Sequence, residues 1–312
     1  MKYFITGASG FVGSYLIADL SRKGHDIHGV DVAPPPKASA GASAVRYHQM
    51  SLMDYKGLRS LLEDIKPDRV IHLASASSVS LSWTAPIECF VNNTNIFLNL
   101  VEAIRDSRLR CRVLSVGSSE EYGVIPEKGI SVGEGHPLDP ASPYAVARVA
   151  QEHFSRVYVQ GYGLDIVCTR SFNHIGPGQA DRFVVSSFVK QAVEIAQKKR
   201  KTISCGRIDI VRDFMDVRDV IRAYDIICEK GQRGDVYNVC NGAGYSLKEV
   251  LERVCRRLNI PVVTEPMDAL MRPVENGSII GDNRKLLGLG FKPEYDLSRS
   301  LDDMIKWWQQ HL

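Results

Sequence analysis

The sequence predicts a doubly wound α/β fold, in which helices cover both faces of a parallel sheet, with a smaller domain towards the C-terminus. Three observations support this fold. Short apolar strand patterns alternate with segments of helical spacing as far as Arg170. A glycine-rich turn joins the first strand to the first helix. The length of 312 residues exceeds the size at which a single core stops growing, which favours one large domain with a smaller companion.

Each predicted element rests on the spacing of its apolar residues. In the first region these patterns predict strands at 2–6, 26–32, 69–74, 112–116 and 165–170, helices at 11–23, near 91–105 and from Pro143 onward, and a loop from 33 to about 44. In the second region they predict helices near 184–198 and at 217–229, 246–258 and 297–310, and strands at 209–216 and 236–239. The helix at 246–258 begins with Ser246, and Glu249 follows at the spacing of a capping box.

Composition and charge exclude several classes of protein. The chain carries 39 basic and 36 acidic residues, a net charge of +3, which is too balanced for wholesale binding of a phosphate backbone, so no nucleic-acid partner is expected. Its seven cysteines form no CxxC pair and lie in or beside apolar runs, which predicts reduced, buried thiols and indicates no metal site. Glycines interrupt the apolar N-terminal stretch at once, so we expect no signal peptide, no membrane span and a cytoplasmic location.

The stretch TGASGFVG places Gly7, Gly10 and Gly13 between a predicted strand and a predicted helix. Glycines at this spacing let the turn close and let the backbone approach a pyrophosphate, whose charge then lies on amides at the helix N-terminus. Asp31 ends the second strand 18 residues beyond Gly13, where a carboxylate accepts both ribose hydroxyls of an adenosine and repels a 2′-phosphate. The pattern predicts a Rossmann-like domain that binds NAD in preference to NADP; a purely structural turn and a surface aspartate are the alternatives.

The stretch SPYAVAR carries a phenol and a guanidinium four residues apart at a helix start. Ser142 is a typical N-cap and Pro143 a typical first helical residue, so Tyr144 and Arg148 lie one turn apart on one helix face. The helix dipole and the cation both favour a phenolate at Tyr144. The pair is either a catalytic acid with its helper or ordinary packing, and the spacing alone leaves both open.

Hydroxyls and carboxylates follow directly after the predicted strand CRVLSVG, in the run Ser118, Ser119, Glu120, Glu121 and Tyr122. Ligands of open parallel sheets bind at the carboxyl ends of the strands. This run is therefore a candidate catalytic segment, with a polar turn rich in helix caps as the alternative.

Five motifs together carry a resemblance to a known family: TGASGFVG, HLA at 72–74, GSSEEYG at 117–123, SPYAVAR, and RSFNHIGPGQ. The chain resembles, over its whole length, the extended short-chain dehydrogenases that act on nucleotide sugars. RSFNHIGPGQ, IDIVRDFMDVRDV, GDVYNVCNG and MRPVENGSIIGDN are most similar to the GDP-4-dehydro-6-deoxy-D-mannose reductases, and less so to the GDP-mannose 4,6-dehydratases. The resemblance implies an NAD-binding domain at 1–172 with about 209–240, and a nucleotide-sugar-binding domain at 173–208 with about 241–312.

The resemblance also implies roles for individual residues. It makes Tyr144 the acid–base group, Ser118 the hydroxyl that hydrogen-bonds the reacting C4 oxygen of the sugar, and Glu120 a residue at the position of the base in dehydratases. The expected cofactor contacts are Gly7, Gly10, Phe11, Val12, Gly13, Asp31, Leu73, Ala74, Asn93, Tyr144 and Arg148. The expected substrate contacts are Ser77, Ser118, Ser119, Glu120, Asn173, Lys190, Arg212, Arg272 and Glu275. Arginines suit the diphosphate because each offers a planar fork of donors to its oxygens.

The sequence departs from the family pattern at two positions. Arg148 stands where the family has lysine, which is expected to bind the nicotinamide ribose and to stabilise the phenolate. A guanidinium keeps the positive charge but is bulkier, planar and never a proton donor in a relay. Ser51 stands where the family has an aspartate that contacts adenine, which puts that contact in doubt.

Three functions remain open at this stage. The first is a reductase that transfers hydride from NADH to C4 of a nucleotide-linked 4-keto-6-deoxyhexose, GDP-linked by resemblance, while Tyr144 protonates the oxygen. The second is a 4,6-dehydratase or epimerase that retains its NAD and uses Glu120 as a base, and the third is a nucleotide-sugar-binding protein that lost catalysis through Arg148. The resemblance further implies a homodimer through the Tyr144 helix, where Val149, Phe154 and Val157 offer apolar area that packing within one subunit explains equally well.

Overall fold

A computed structural model describes residues 1–35, 45–126, 129–271 and 273–312 of the chain. The seven strands of its larger sheet, numbered in chain order through the whole protein, are β1 (Lys2–Thr6), β2 (Asp26–Asp31), β3 (Val45–Gln49), β4 (Arg69–His72), β5 (Arg112–Ser118), β7 (Asp165–Ser171) and β11 (Val236–Val239). All are parallel, in the order β11-β7-β5-β4-β1-β2-β3. The order reverses between β1 and β4, and in such sheets ligands bind in the crevice at the carboxyl ends of the two strands that flank the reversal.

Helices cover both faces of this sheet. The helices of the described residues are α1 (Phe11–Arg22), α2 (Tyr55–Ile65), α3 (Val79–Thr84), α4 (Pro86–Asp106), α5 (Pro143–Tyr162), α6 (Val184–Ala196), α7 (Val217–Lys230), α8 (Leu247–Arg257), α9 (Arg284–Gly288) and α10 (Leu297–His311). One core layer joins the sheet to α1 and α7, and the other joins it to α2, α4 and α5. Because both faces are covered, the central strands are buried almost end to end, as four of the five residues of β1 are.

A smaller mixed sheet lies in the C-terminal part. Its strands are β6 (Ser131–Val132), β8 (Asn173–Ile175), β10 (Val211–Asp216), β12 (Gly244–Ser246) and β14 (Ser278–Gly281), and a separate pair is formed by β9 (Ile203–Cys205) and β13 (Thr264–Pro266). A third core is built mainly from α6, α8 and α10. Of the segment 209–240, α7 and β11 pack on the larger sheet, whereas β10 belongs to the smaller one. The two-domain division of the sequence therefore remains a proposal.

The predicted fold class, a doubly wound α/β sheet with a smaller C-terminal part, is confirmed. β3 and α2 were missing from the sequence prediction, in the case of β3 because it is a polar edge strand without a buried alternating face. The Ser246 hydroxyl caps α8 by accepting the Glu249 N–H, and the Glu249 carboxylate accepts from Arg253 at 2.6 Å. Among the described residues the Ser246 N–H does not donate to Glu249, so the reciprocal half of the predicted capping box is wrong. Most of the loop at 33–44 lies outside the described residues.

The seven cysteines are all buried and free, which confirms the prediction of buried thiols. Within the described part of the chain, the helices are too short or too polar to cross a membrane.

Candidate active site

The glycine turn after β1 lies directly against the segment that follows β4. Gly7 adopts a φ of +71°, and a Cβ there would lie 2.8 Å from the Ala74 nitrogen. A Cβ on Gly13 would lie 2.4 Å from the Gly7 oxygen, so both positions require glycine. Gly10 precedes α1 with an extended backbone, and no side chain of the described residues caps the start of this helix. Among the described residues, the first amides of α1, from Phe11, Val12 and Gly13, have no acceptor, so they could bind an anion such as the pyrophosphate of a dinucleotide.

Asp31, at the end of β2, holds the glycine turn through backbone donors. Its Oδ2 accepts the Ser9 N–H at 3.0 Å and its Oδ1 accepts the Ala33 N–H at 3.0 Å. The carboxylate is thus fixed beside the turn, and each of its oxygens keeps a lone pair for a further donor. These acceptor oxygens suit the hydroxyl groups of a dinucleotide ribose, as the sequence predicts. Ser51, which follows β3, is exposed and its hydroxyl accepts the Met53 N–H.

Asn93 on α4 fixes the loop that follows β4. Its Oδ1 accepts the Ala76 N–H at 2.7 Å and its amide nitrogen donates to the Ala76 oxygen at 3.3 Å. At the start of the same loop, the Leu73 and Ala74 amides donate to the Thr6 carbonyl and hydroxyl oxygens. The structure therefore places Asn93 behind the loop that contains the exposed Ser77, and joins the ends of β1 and β4.

His72 ends β4 beneath this loop and is fully buried. Its Nδ1 lies 2.9 Å from the Thr6 hydroxyl. Burial, with a smaller contribution from Arg148, lowers the pKa of His72 to about 3. The imidazole is therefore neutral at physiological pH and is a structural group rather than a proton donor.

Tyr144 and Arg148 form one hydrogen-bonded unit at the start of α5. The Ser142 hydroxyl caps the helix by accepting the Ala145 N–H at 3.1 Å, as predicted. The Arg148 Nε donates to the Tyr144 hydroxyl oxygen at 3.1 Å, and the Arg148 Nη1 donates to the Val116 carbonyl of β5, also at 3.1 Å. Tyr144 is 7% exposed and Arg148 4% exposed. A buried cation therefore touches the phenol and ties its helix to the strand that ends at Ser118.

Ser118 ends β5 and begins a short 3-10 helix (Ser119–Tyr122). Its hydroxyl accepts the Glu120 N–H at 3.2 Å, and its own N–H donates to the Glu121 Oε1 at 2.7 Å. Ser118 and Ser119 are buried, and Glu120 is half-buried. The polar turn is thus held by reciprocal bonds at the carboxyl end of a central strand.

Glu121 is a buried acid behind this turn. Burial raises the pKa of its carboxyl, and the charge of Glu152 raises it further. Glu152 accepts two hydrogen bonds from Arg170, at 2.8 and 2.7 Å, whereas the nearest Arg170 nitrogen to Glu121 is 4.0 Å away. The guanidinium therefore stabilises the charge on Glu152, whereas the raised pKa of Glu121 favours the protonated form of that carboxyl.

The residues expected to bind the nucleotide diphosphate divide into two groups. Arg212 on β10 forms an ion pair with Glu275, so the structure brings these two together. Asn173 on β8 lies in register with Phe214 of β10, on the neighbouring strand. Lys190 on α6 instead pairs with Asp181 at 2.7 Å and lies over Trp308, so that expectation gains no support from its contacts. Arg272 lies outside the described residues.

Sequence reasoning did not single out Gln151, which is 1% exposed and accepts a hydrogen bond from Arg148 Nη1 at 2.7 Å. Helical spacing could have found it, because Tyr144, Arg148 and Gln151 follow at four and three residues on one face of α5. The pairing of Glu152 with Arg170 crosses from α5 to β7 and has no local signal in the sequence.

With the fold and the site in view, comparison with known proteins places the chain in a family. It matches the family model for GDP-mannose 4,6 dehydratase over residues 4–304. The chain therefore belongs to this family, one of the NAD-dependent epimerases and dehydratases of the extended short-chain dehydrogenase group.

Particular relatives are similar over their whole length. The chain is 31% identical to GDP-6-deoxy-D-mannose reductase of Pseudomonas aeruginosa, covering 100% of this chain and 98% of that protein. It is 27% identical to UDP-glucose 4-epimerase of Lactobacillus helveticus, covering 100% and 98%. Among solved structures, RMD from Pseudomonas aeruginosa complexed with NADPH matches with a TM-score of 0.86 at 30% identity, over 100% of this chain and 99% of that one. UDP-glucose 4-epimerase of Thermus thermophilus complexed with NAD matches with a TM-score of 0.89 at 26% identity, over 100% of both chains.

Membership of this family indicates that the protein is a nucleotide-sugar-modifying enzyme that uses a nicotinamide cofactor. Relatives named as reductase, epimerase and dehydratase are similar to the chain at comparable identity. The choice among these reactions therefore depends on the site itself.

Proposed function

We propose that the protein reduces C4 of a nucleotide-linked 4-keto-6-deoxyhexose, with the GDP-linked sugar of the 6-deoxy-D-mannose series as its substrate. The observation that carries this proposal is the buried Arg148–Tyr144 hydrogen bond of 3.1 Å beside the strand that ends at Ser118. A phenol that accepts a bond from a permanent cation keeps its own proton for donation and is stabilised once that proton has left. The similarity to GDP-6-deoxy-D-mannose reductase at 31% identity supports the same reaction.

Each site residue has a role in this proposal. Tyr144 gives its proton to the C4 oxygen as hydride arrives on the carbon, and Ser118 donates a hydrogen bond to the same oxygen. Arg148 balances the negative charge that the phenol then carries. Arg212 and Asn173 contact the nucleotide diphosphate, for which Arg212 offers a planar fork of donors.

A nicotinamide dinucleotide supplies the hydride, and we propose NAD(H) as the preferred form. The glycine turn and the uncapped start of α1 would hold its pyrophosphate, and Asp31 would accept its ribose hydroxyls. The fixed carboxylate would repel a 2′-phosphate. Relatives have been solved with either form, NADPH in one and NAD in another, so Asp31 is the residue on which this preference depends.

The test is the replacement Tyr144→Phe, assayed with a GDP-linked 4-keto-6-deoxyhexose and NADH. We expect the wild-type protein to oxidise one NADH per product, and the variant to lose about 10²- to 10⁴-fold in kcat while binding NADH with unchanged affinity. Tyr162→Phe is the matched control, because Tyr162 is an exposed tyrosine at the far end of the same helix and its loss leaves the rate unchanged. Undiminished turnover in Tyr144→Phe would eliminate the mechanism.

A 4,6-dehydratase is the second candidate, and Glu120 is the observation that favours it. Its half-buried side chain follows Ser118 in the 3-10 helix, where it would serve as a base at C5. The two reactions differ in stoichiometry, because a dehydratase returns its hydride within one cycle. GDP-mannose consumption with no net change in NADH absorbance would identify the dehydratase, and NADH oxidation that depends on a 4-keto sugar would identify the reductase.

We also propose a homodimer formed through α4 and α5. The described residues leave an apolar face on these two helices, at Ile87, Phe90, Val91, Val146, Phe154 and Val157. Apolar side chains clustered on two adjacent surface helices are typical of a subunit interface. Val149, a third residue expected there, is half-buried within the subunit. The cytoplasmic location stays a prediction from the sequence.

A further inference from the structure

We propose that Gln151 is a positioning residue for Tyr144, acting through Arg148. The inference rests on the proposed role of Tyr144 as the acid. Arg148 Nη1 donates to Gln151 Oε1 at 2.7 Å and to the Val116 carbonyl at 3.1 Å. A terminal guanidinium nitrogen carries two hydrogens, so both hydrogens of Nη1 are occupied. These two acceptors define the plane in which the guanidinium lies.

The acceptor on Gln151 is itself held from the opposite end of the carboxamide. Its Nε2 donates to the Ser115 hydroxyl at 2.9 Å and to the Val116 carbonyl at 3.2 Å. Ser155 then bonds Ser115 at 3.3 Å, and all three side chains are buried. A carboxamide with both ends engaged cannot rotate without leaving a buried polar group unsatisfied, which costs about 1–3 kcal/mol. Gln151 therefore fixes the guanidinium group relative to β5.

The orientation matters because the guanidinium is planar. With Nη1 turned towards Gln151 and Val116, the opposite edge, made of Nε–H and one N–H of Nη2, faces Tyr144. Nε uses its only hydrogen on the Tyr144 oxygen at 3.1 Å. Nη2 forms no hydrogen bond to any residue that the structure describes. This edge can thus donate one hydrogen bond to the phenol from Nε and another to a neighbouring hydroxyl from Nη2. A lysine ammonium group would have to make both bonds from one nitrogen atom.

Gln151 also holds the cation without neutralising it. No carboxylate of the described residues pairs with Arg148, although the side chain is 4% exposed. Its partners are a carbonyl, a carboxamide and a phenol, all neutral. The full positive charge therefore remains directed at the phenol oxygen, where negative charge develops when the proton leaves.

A double-mutant cycle tests this role. Gln151→Met keeps the length of the side chain and removes both polar ends, so we expect kcat to fall by about 10- to 100-fold with little change in KM for the sugar. In the Arg148→Lys background the same replacement costs less than about twofold, because an ammonium group needs no fixed plane. Gln191→Met is the matched control and keeps kcat, because Gln191 is a buried glutamine of α6 whose carboxamide bonds Ser187 and Ser204 rather than Arg148. Equal losses in both backgrounds would overturn the proposal, because Gln151 would then act only through the fold.

A second measurement needs neither substrate nor cofactor. The ¹H–¹⁵N signal of the Arg148 Nε–H is assigned by its absence in Arg148→Lys, and its exchange with water is followed in the apo protein. We expect exchange to be at least about tenfold faster in Gln151→Met and unchanged in the control Gln191→Met. Exchange at the wild-type rate in Gln151→Met would refute the orientation argument. If the wild-type protein fails to reduce the 4-keto sugar, the proposed function fails, while this exchange measurement still decides the role of Gln151.

Discussion

Replacing Asp31 with asparagine tests whether one carboxylate sets the cofactor preference. In the structure both Asp31 oxygens accept backbone N–H groups, from Ser9 and Ala33, so the charge is held beside the glycine turn, where the proposed adenosine ribose would lie. Two unit charges about 4 Å apart interact by about 4 kcal/mol at an effective dielectric constant of about 20. Because Asp31 is half-buried, we take about half of this value, about 2 kcal/mol, which corresponds to about a 30-fold difference in affinity.

Asp31→Asn removes the charge and keeps an acceptor oxygen for one of the two backbone donors. We therefore expect the ratio of NADPH to NADH dissociation constants to fall about 30-fold, mainly through tighter binding of NADPH. Fluorescence titration of each reduced cofactor measures both constants. The effect weakens at high ionic strength, because salt screens the repulsion between the carboxylate and the 2′-phosphate.

Asp26→Asn is the matched control for this experiment. Asp26 begins the same strand β2, roughly 16 Å from Asp31 at the rise of a β-strand, and pairs with Arg46 at 3.2 Å. Its replacement should leave both dissociation constants unchanged. Wild-type protein that binds NADPH more tightly than NADH, or an Asp31→Asn variant with an unaltered ratio, would refute the reasoning about charge.

Two further predictions concern stability and assembly. Because the folded-state pKa of Glu121 is raised above its ordinary value of 4.5, the folded protein loses stability as the pH rises past 4.5 towards that raised pKa. Glu121→Gln should therefore raise the free energy of unfolding at pH 7 and raise it by less at pH 4, measured by urea denaturation; a gain of equal size at both pH values would contradict the argument. Val157→Glu on the apolar face of α5 should convert a dimer into a monomer by light scattering, whereas Val262→Glu, at a valine of similar exposure elsewhere, should not; a wild-type protein of single-subunit mass would remove the dimer proposal.

Much of the site follows from local sequence. The turn after β1 is predictable from the glycine spacing, because its backbone leaves no room for a side chain at Gly7 or Gly13. Ser142 and Pro143 mark the start of α5. Once that helix begins, Tyr144 and Arg148 must lie one turn apart, and the structure adds the bond between them. These features were predictable because each depends on residues a few positions apart.

Other contacts could not be predicted, because they join segments that are distant in the chain. Lys190 was expected to face the diphosphate, yet its ammonium pairs with Asp181 and lies over Trp308. β10 lies in the segment 209–240, which the resemblance assigns to the NAD-binding domain, and its strand partners are β8, β12 and β14 of the smaller sheet. An apolar strand pattern shows that a strand is buried but not which sheet buries it.

The sequence by itself determined the backbone turns, the helix caps and the spacing of the reactive side chains, because these depend on dihedral preferences and on neighbours within one turn. Only the tertiary structure decided how Arg148 is held by Gln151 and β5, and which of two buried acids, Glu121 or Glu152, receives the Arg170 bonds. Burial and hydrogen-bond partners are properties of segments brought together by packing, and the charge state of a buried group depends on them.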